Sequence, residues 1–145
     1  MGSPWFVMLK DEHRKAKRSA VLAAVAIALV GSLFVLAAAA FPGGDYNPCL
    51  RMLSALGRTE VRMVTHPWSQ YLFMSGMFVS AVGVFALAWR LGLSRWGAAL
   101  NAVGLVSIAL VPENVCELGH NAGCWLAAIG GGMMLSRWLR MEPSR

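Results

Sequence analysis

The chain is 145 residues long, 57% apolar and only 14% charged, with a formal net charge of +6. An ordinary soluble domain carries roughly 25% charged residues, so the composition argues against a water-soluble globule and leaves room for a single compact membrane domain, residues 1–145. The basic excess does not point to nucleic acid, because the Lys and Arg residues flank apolar runs in small groups and form no stripe with interleaved aromatics.

The first element is the uncharged run 19–41, SAVLAAVAIALVGSLFVLAAAAF, with Lys10, Arg14, Lys15, Lys17 and Arg18 just before it. About 20 apolar residues at 1.5 Å each cross a hydrocarbon core of roughly 30 Å, so the run predicts a transmembrane helix. A cleaved signal peptide is the alternative, with Ala37 to Ala40 as small residues for the cleavage site. A signal core runs about 7–15 apolar residues, and the greater length here favours an anchor.

The outer loop, 42–66, carries helix punctuation. Asn47 suits an N-cap, Pro48 a first position, and Gly57 the residue past the end. Leu50, Leu53 and Leu56 recur on one face, with Arg51 and Ser54 off it. This predicts a short amphipathic helix over 48–56, lying on the membrane surface or folded over the mouth of the bundle.

Three more apolar runs follow, at 67–89, 96–112 and 118–136. With the N-terminus inside, the inner segments hold the five basic residues before the first run, then Arg90, Arg95, Arg137, Arg140 and Arg145. The outer segments hold only Arg51, Arg58 and Arg62. That bias favours N-in, C-in. Trp89, Trp96 and Trp138 fall at the inner boundary and Trp68 at the outer one, as interfacial indoles do. The expectation is an all-α bundle of four transmembrane helices in the cell membrane.

Small residues mark the expected packing faces: Gly119, Gly123, Ala127 and Gly131 in the fourth run, beside Gly130 to Gly132, and Gly76, Ser80 and Gly83 in the second. Such ridges let helix backbones approach closely within a bundle, or between copies of the chain. Asn101 would be costly facing lipid, so it is expected to turn inward to a hydroxyl or backbone partner.

The densest polar cluster is PENVCELGHNAGC, from Pro112 to Cys124. If helix begins near Glu113, then Glu113, Glu117, His120 and Cys124 share one face, with Cys116 beside it. Carboxylate, imidazole and thiol are metal-ligand and acid/base types, and Cys116 and His120 stand one turn apart. The competing reading is structural: acidic residues oppose the dipole at a helix N-terminus, and His120 pairs with Glu117 or meets water. Cys49 and Cys116 both fall on the outer side and are candidates for a disulfide, which would remove Cys116 as a ligand. Cys124 reads as a packing residue. His66 and His120, at one depth, could together ligate a haem iron. No phosphate loop, nucleophile elbow or His-Glu-x-x-His motif occurs.

The landmarks Phe41-Pro42-Gly43-Gly44 with Tyr46, then Ser54-Ala55-Leu56-Gly57-Arg58, Pro67 with Phe73-Met74-Ser75-Gly76, Val111-Pro112-Glu113 and His120-Asn121 follow one another over residues 31–130. In this order the chain resembles uncharacterised multi-pass membrane families of the FRAG/DRAM/Sfk type, including bacterial domain-of-unknown-function families. The resemblance implies a polytopic, lipid-related membrane protein with no established reaction. Ser54, Gly57, Glu113, His120 and Asn121 are the matching polar and glycine positions. Such families commonly have six spans, against four apolar runs here.

These observations lead to a non-enzymatic expectation: a bundle that binds lipid or an apolar small molecule, or serves as an accessory subunit of a larger membrane complex, with no resident cofactor. Two alternatives stay open. One is a membrane enzyme or redox protein at the outer mouth, built from Glu113, Glu117, His120, Asn121, His66 and Ser54. The other is a small transporter lined by Asn101 and His120.

Overall fold

The computed structural model describes residues 21, 24–44, 46–47, 53–61, 63–65 and 67–141. Four α-helices carry the architecture: α1, Ala24–Ala39; α2, Trp68–Arg90; α3, Arg95–Leu110; and α4, Glu117–Met141. Between α1 and α2 lie a 3-10 helix, Leu53–Gly57, and a two-stranded antiparallel hairpin. Its strands are β1, Glu60–Val61, and β2, Val64–Thr65, with Glu60 opposite Thr65 and Val61 opposite Val64. Met63 turns this hairpin with a positive φ of 63°.

The turns follow from local chemistry. Gly92 adopts φ 65° after α2, which few other residues tolerate. Leu93 N–H reaches back to Ala88 O at 3.0 Å, closing the end of the helix. Ser94 then caps α3, its side chain accepting from Gly97 N–H at 3.1 Å. Only four residues, 91–94, therefore connect α2 to α3, and the two run antiparallel.

The tightest packing joins α3 to α4. A Cβ at Gly104 would collide with the backbone of Gly123 and Ala127, and one at Gly130 with the backbone of Gly97 and Asn101. At Gly123 it would meet Ser107 Cβ at 3.0 Å and Gly104 O at 3.1 Å. Asn101 Nδ2 donates to Ala127 O at 2.7 Å across this contact, so the inward backbone partner expected for Asn101 is present. The ridge on α4 is Gly123, Ala127 and Gly130. Two members of the expected ridge lie off it. Gly119 faces the Val111 and Cys116 side chains, and Gly131 meets only the Asn101 amide, at 3.8 Å. A straight helix needs steps of four and three to stay under one neighbour, whereas uniform steps of four drift around it. On α2, Gly76 faces the Phe34 ring of α1, and Gly83 lies opposite Ala26.

One apolar cluster forms where α1 ends and α2 begins: Ala37, Phe41, Leu56, Val61, Phe73, Met77, Ile108 and Ala109. The 3-10 helix folds over it. Leu56 is fully buried, and a Cβ at Gly57 would strike the Phe73 ring. The segment thus covers the mouth of the bundle rather than lying out on a surface, and its helix begins at Leu53. Positions 48–52 of the expected helix are outside the described residues.

Elsewhere the buried positions are small or polar: Ser69, Gln70, Gly76, Ala81, Ala88, Gly97, Ala98, Gly104, His120, Gly123 and Gly130. The large side chains Val82, Phe85, Val103, Trp125, Ile129 and Leu135 point outward. Among the described residues, α2 is the one helix both long and apolar enough to cross a membrane by itself, while α1 and α3 are shorter apolar helices. At 1.5 Å per residue, the 16 residues of α3 cover about 24 Å. The helical class is therefore as expected, and the count of four independently spanning helices is not.

Gly130→Leu is expected to destabilise the fold by about 1–3 kcal/mol or to prevent assembly, because backbone stands where its side chain must go. Gly132→Leu, whose Cβ meets nothing within 4 Å, should be near neutral. Thermal melting of the two variants in mild detergent separates them, and equal midpoints would refute the packing argument.

Candidate functional site

The polar residues at the mouth converge on the short connection between α3 and α4. Pro112 O accepts from Val115 N–H at 3.0 Å and Cys116 N–H at 3.1 Å, forming a tight turn that holds Glu113 and Asn114 outward. Helix α4 starts at Glu117, so Glu113 belongs to the turn and not to the helical face expected of it. The proline restricts the backbone before it and ends α3, which resets the helical phase between Glu113 and Glu117.

From that turn Glu113 Oε2 accepts from Ser54 Oγ at 3.0 Å and lies 3.7 Å from the Arg58 guanidinium. Beside it, Asn114 Oδ1 accepts from Thr59 N–H at 3.2 Å, and Asn114 Nδ2 donates to Thr59 Oγ1 at 2.9 Å. Two residues of the expected polar set, Ser54 and Glu113, are thus brought together across 59 positions of sequence. Thr59 and Asn114 carried no motif that would have singled them out. Together these contacts fasten the cap to the α3–α4 turn.

His120 is only 4% exposed, and its Nδ1 lies 2.9 Å from Val111 O. A carbonyl oxygen can only accept, so Nδ1 carries the proton. The acceptor sits at the C-terminal end of α3, where helix carbonyls lack partners within the helix. His120 therefore ties the first turn of α4 to the end of α3. Glu117, Asn121 and Cys124 are exposed. Cys116 Sγ accepts from Gly119 N–H at 3.4 Å.

Among the described residues, no three His, Cys, Asp or Glu side chains are grouped to hold a metal ion. Cys116 and His120 stand one turn apart but are turned to separate partners, so the spacing alone does not make a ligand pair. Cys116 is a free, exposed thiol, and its candidate disulfide partner Cys49 lies outside the described residues. His66, the second residue of the haem-ligand expectation, also lies outside them.

Three buried polar atoms beneath or beside the cap have no hydrogen-bond partner among the described residues: Arg58 Nε, Ser69 Oγ and Gln70 Oε1. At the rim, Tyr46 packs against Phe41 with ring centroids 5.5 Å apart, and burial raises its phenol above the ordinary 10.0.

An apolar recess lies away from the cap. A half-open groove of about 600 Å³ runs between α1 and α2, lined by Ala26, Val30, Gly31 and Phe34 on one side and Gly83 and Leu87 on the other, with Arg90 at its end away from the cap. Ser80 also lines it, but its hydroxyl is bonded to Gly76 O at 2.7 Å. The wall is therefore apolar apart from one guanidinium. The sequence signal for the groove was the pair of glycines: Gly31 breaks a bulky run on α1, and Gly83 does the same on α2.

Set against family models, curated proteins and solved structures, the chain matches none. The resemblance described above rests on its short motifs.

Asn114→Ala removes both bonds to Thr59 and is expected to speed amide exchange at Thr59 by about fivefold, as loss of roughly 1 kcal/mol would. Glu113→Gln keeps an acceptor for Ser54 and loses only a partly exposed ion pair, worth about 0–1 kcal/mol. Its effect should therefore be smaller and should vanish at high salt. Hydrogen exchange over 53–61 measures both variants, and a larger effect from Glu113→Gln would reverse the assignment.

Proposed function

We propose that this chain is a multi-pass protein of the cell membrane, N-in and C-in, that binds a lipid or another apolar chain in the groove between α1 and α2. The groove is the observation that carries the reading. Its volume falls within the roughly 300–1,000 Å³ of small-molecule sites, and an apolar wall with one polar group is their usual make-up.

The membrane setting is supported by the placement of side chains. A protein folded in water buries its large apolar residues, whereas here, away from the cluster under the cap, the buried positions on the helices are small or polar and Phe85, Val82, Trp125 and Ile129 face out. Lipid tails are as apolar as those side chains, so helices in a bilayer associate through close backbone packing, which is the role of Gly104, Gly123 and Gly130. Helix α3 is short for a full crossing, and a bilayer accommodates such a helix by local thinning. A reporter fused after Arg145 is expected to be active only in the cytoplasm, and one inserted near Glu60 only outside.

A Cβ at Gly31 meets nothing within 4 Å, so a large side chain there enters the groove without striking the fold. Gly31→Trp should preserve the melting temperature and reduce co-purifying lipid, counted by native mass spectrometry in mild detergent. Wild-type protein that retains no apolar ligand, or a Gly31→Trp variant that retains as much as wild type, would overturn the groove assignment.

A further inference from the structure

The end of the bundle away from the cap gathers cations and indoles around one depression. The four-residue turn after α2, made possible by the positive φ of Gly92, sets Trp89 at the end of one helix beside Arg95 at the start of the next. The Arg95 guanidinium lies over the Trp89 ring, 4.2 Å from its centroid. The stack fixes the plane of the cation and leaves N–H groups at its edge for an acceptor. Arg137, near the end of α4, lines the same depression of about 480 Å³, together with Ser94 and Trp96. Neither Arg95 nor Arg137 has a carboxylate in ion-pair range among the described residues. Trp96 is 78% exposed and Trp89 58% exposed, an uncommon placement for two indoles facing water and a familiar one at the level of lipid headgroups.

We propose that this depression binds the phosphate of an anionic phospholipid headgroup, held by Arg95 and Arg137 between Trp89 and Trp96. The site rests on the membrane reading above but not on the α1–α2 groove. The charge is complementary: two guanidiniums without acidic partners face a group with several acceptor oxygens, and guanidinium forks bind phosphate through paired hydrogen bonds. The indoles fix the depth, since their amphipathic rings settle where headgroup meets acyl chain. A merely topological role for the arginines would need positive charge at this end but not a stacked cation in a shared recess.

The test uses the full chain in mild detergent, exposed to equal amounts of phosphatidylglycerol and phosphatidylcholine and read by native mass spectrometry. Wild type is expected to retain phosphatidylglycerol about tenfold over phosphatidylcholine, because both carry the phosphate but the quaternary ammonium of choline is repelled by two guanidiniums and cancels the headgroup's net charge. Arg95→Gln combined with Arg137→Gln should abolish the preference at unchanged melting temperature, and Arg95→Lys with Arg137→Lys should restore it only in part. Arg140→Gln, an exposed charge change outside the depression, should leave it intact. Equal retention of the two lipids by wild type, or the same loss in Arg140→Gln, would overturn the proposal in favour of diffuse charge. Displacement of the lipid by millimolar inorganic phosphate would make it a free-anion site and overturn the lipid assignment. Carbonate extraction from vesicles of the same lipids separates the two readings. Protein that fails to stay in the membrane ends both, whereas protein that stays without the preference ends only this one.

Discussion

Everything else in this bundle depends on the backbone contact between α3 and α4. Gly97, Gly104, Gly123 and Gly130 have no side chains to hold the helices apart, and Asn101 bonds to Ala127 O in the space that remains. The contact fixes distance and register at once. Bulk at Gly104 or Gly130 has only backbone to displace, which cannot be repacked as a flexible side chain can.

The register set there decides the geometry of the mouth. His120 reaches Val111 O only because the first turn of α4 stands beside the last turn of α3. The turn between them then presents Glu113 and Asn114 to Ser54, Arg58 and Thr59. The cap is held from below by apolar burial of Leu56 against Phe73 and from the side by these polar contacts. Groups with acid/base and ligand chemistry are used here as fasteners, and the groove between α1 and α2 is lined, among the described residues, by no titratable side chain except Arg90.

The sequence was most legible where a single residue type has a single structural use. The apolar runs delimit α2, α3 and α4 to within a few residues, except that α4 continues past Arg137 to Met141. Asn101 and the contact of Gly76 with α1 were also legible, because polar or small residues in an apolar run have few alternatives, whereas Ser80 and Gly83 on the same face line the groove instead of a close backbone contact. The polar segment after Pro112 was misread because a helical wheel assumes continuous phase, and the turn at 113–116 breaks it. The ridge on α4 was misassigned at both ends: Gly119 lies off it, and at the other end glycines are abundant and composition does not select among Gly130, Gly131 and Gly132. The pairing of Ser54 with Glu113 could not be read from spacing, as the two meet only after the cap folds back. The crossing count depended on charge and apolarity along the chain, and among the described residues α2 is the one of the four helices both long and apolar enough to cross by itself.

The attachment of α1 is lopsided. Near the cap it is locked in, with Ala37 and Phe41 buried and Phe34 set against Phe73 and Gly76. Toward its other end the helices part around Gly31 and Gly83, and no hydrogen bond or ion pair among the described residues crosses the gap. Helix α1 is thus held at its Phe34 end by apolar contact, where one apolar neighbour can stand in for another, whereas parting α3 from α4 would tear the Asn101 bond from its carbonyl.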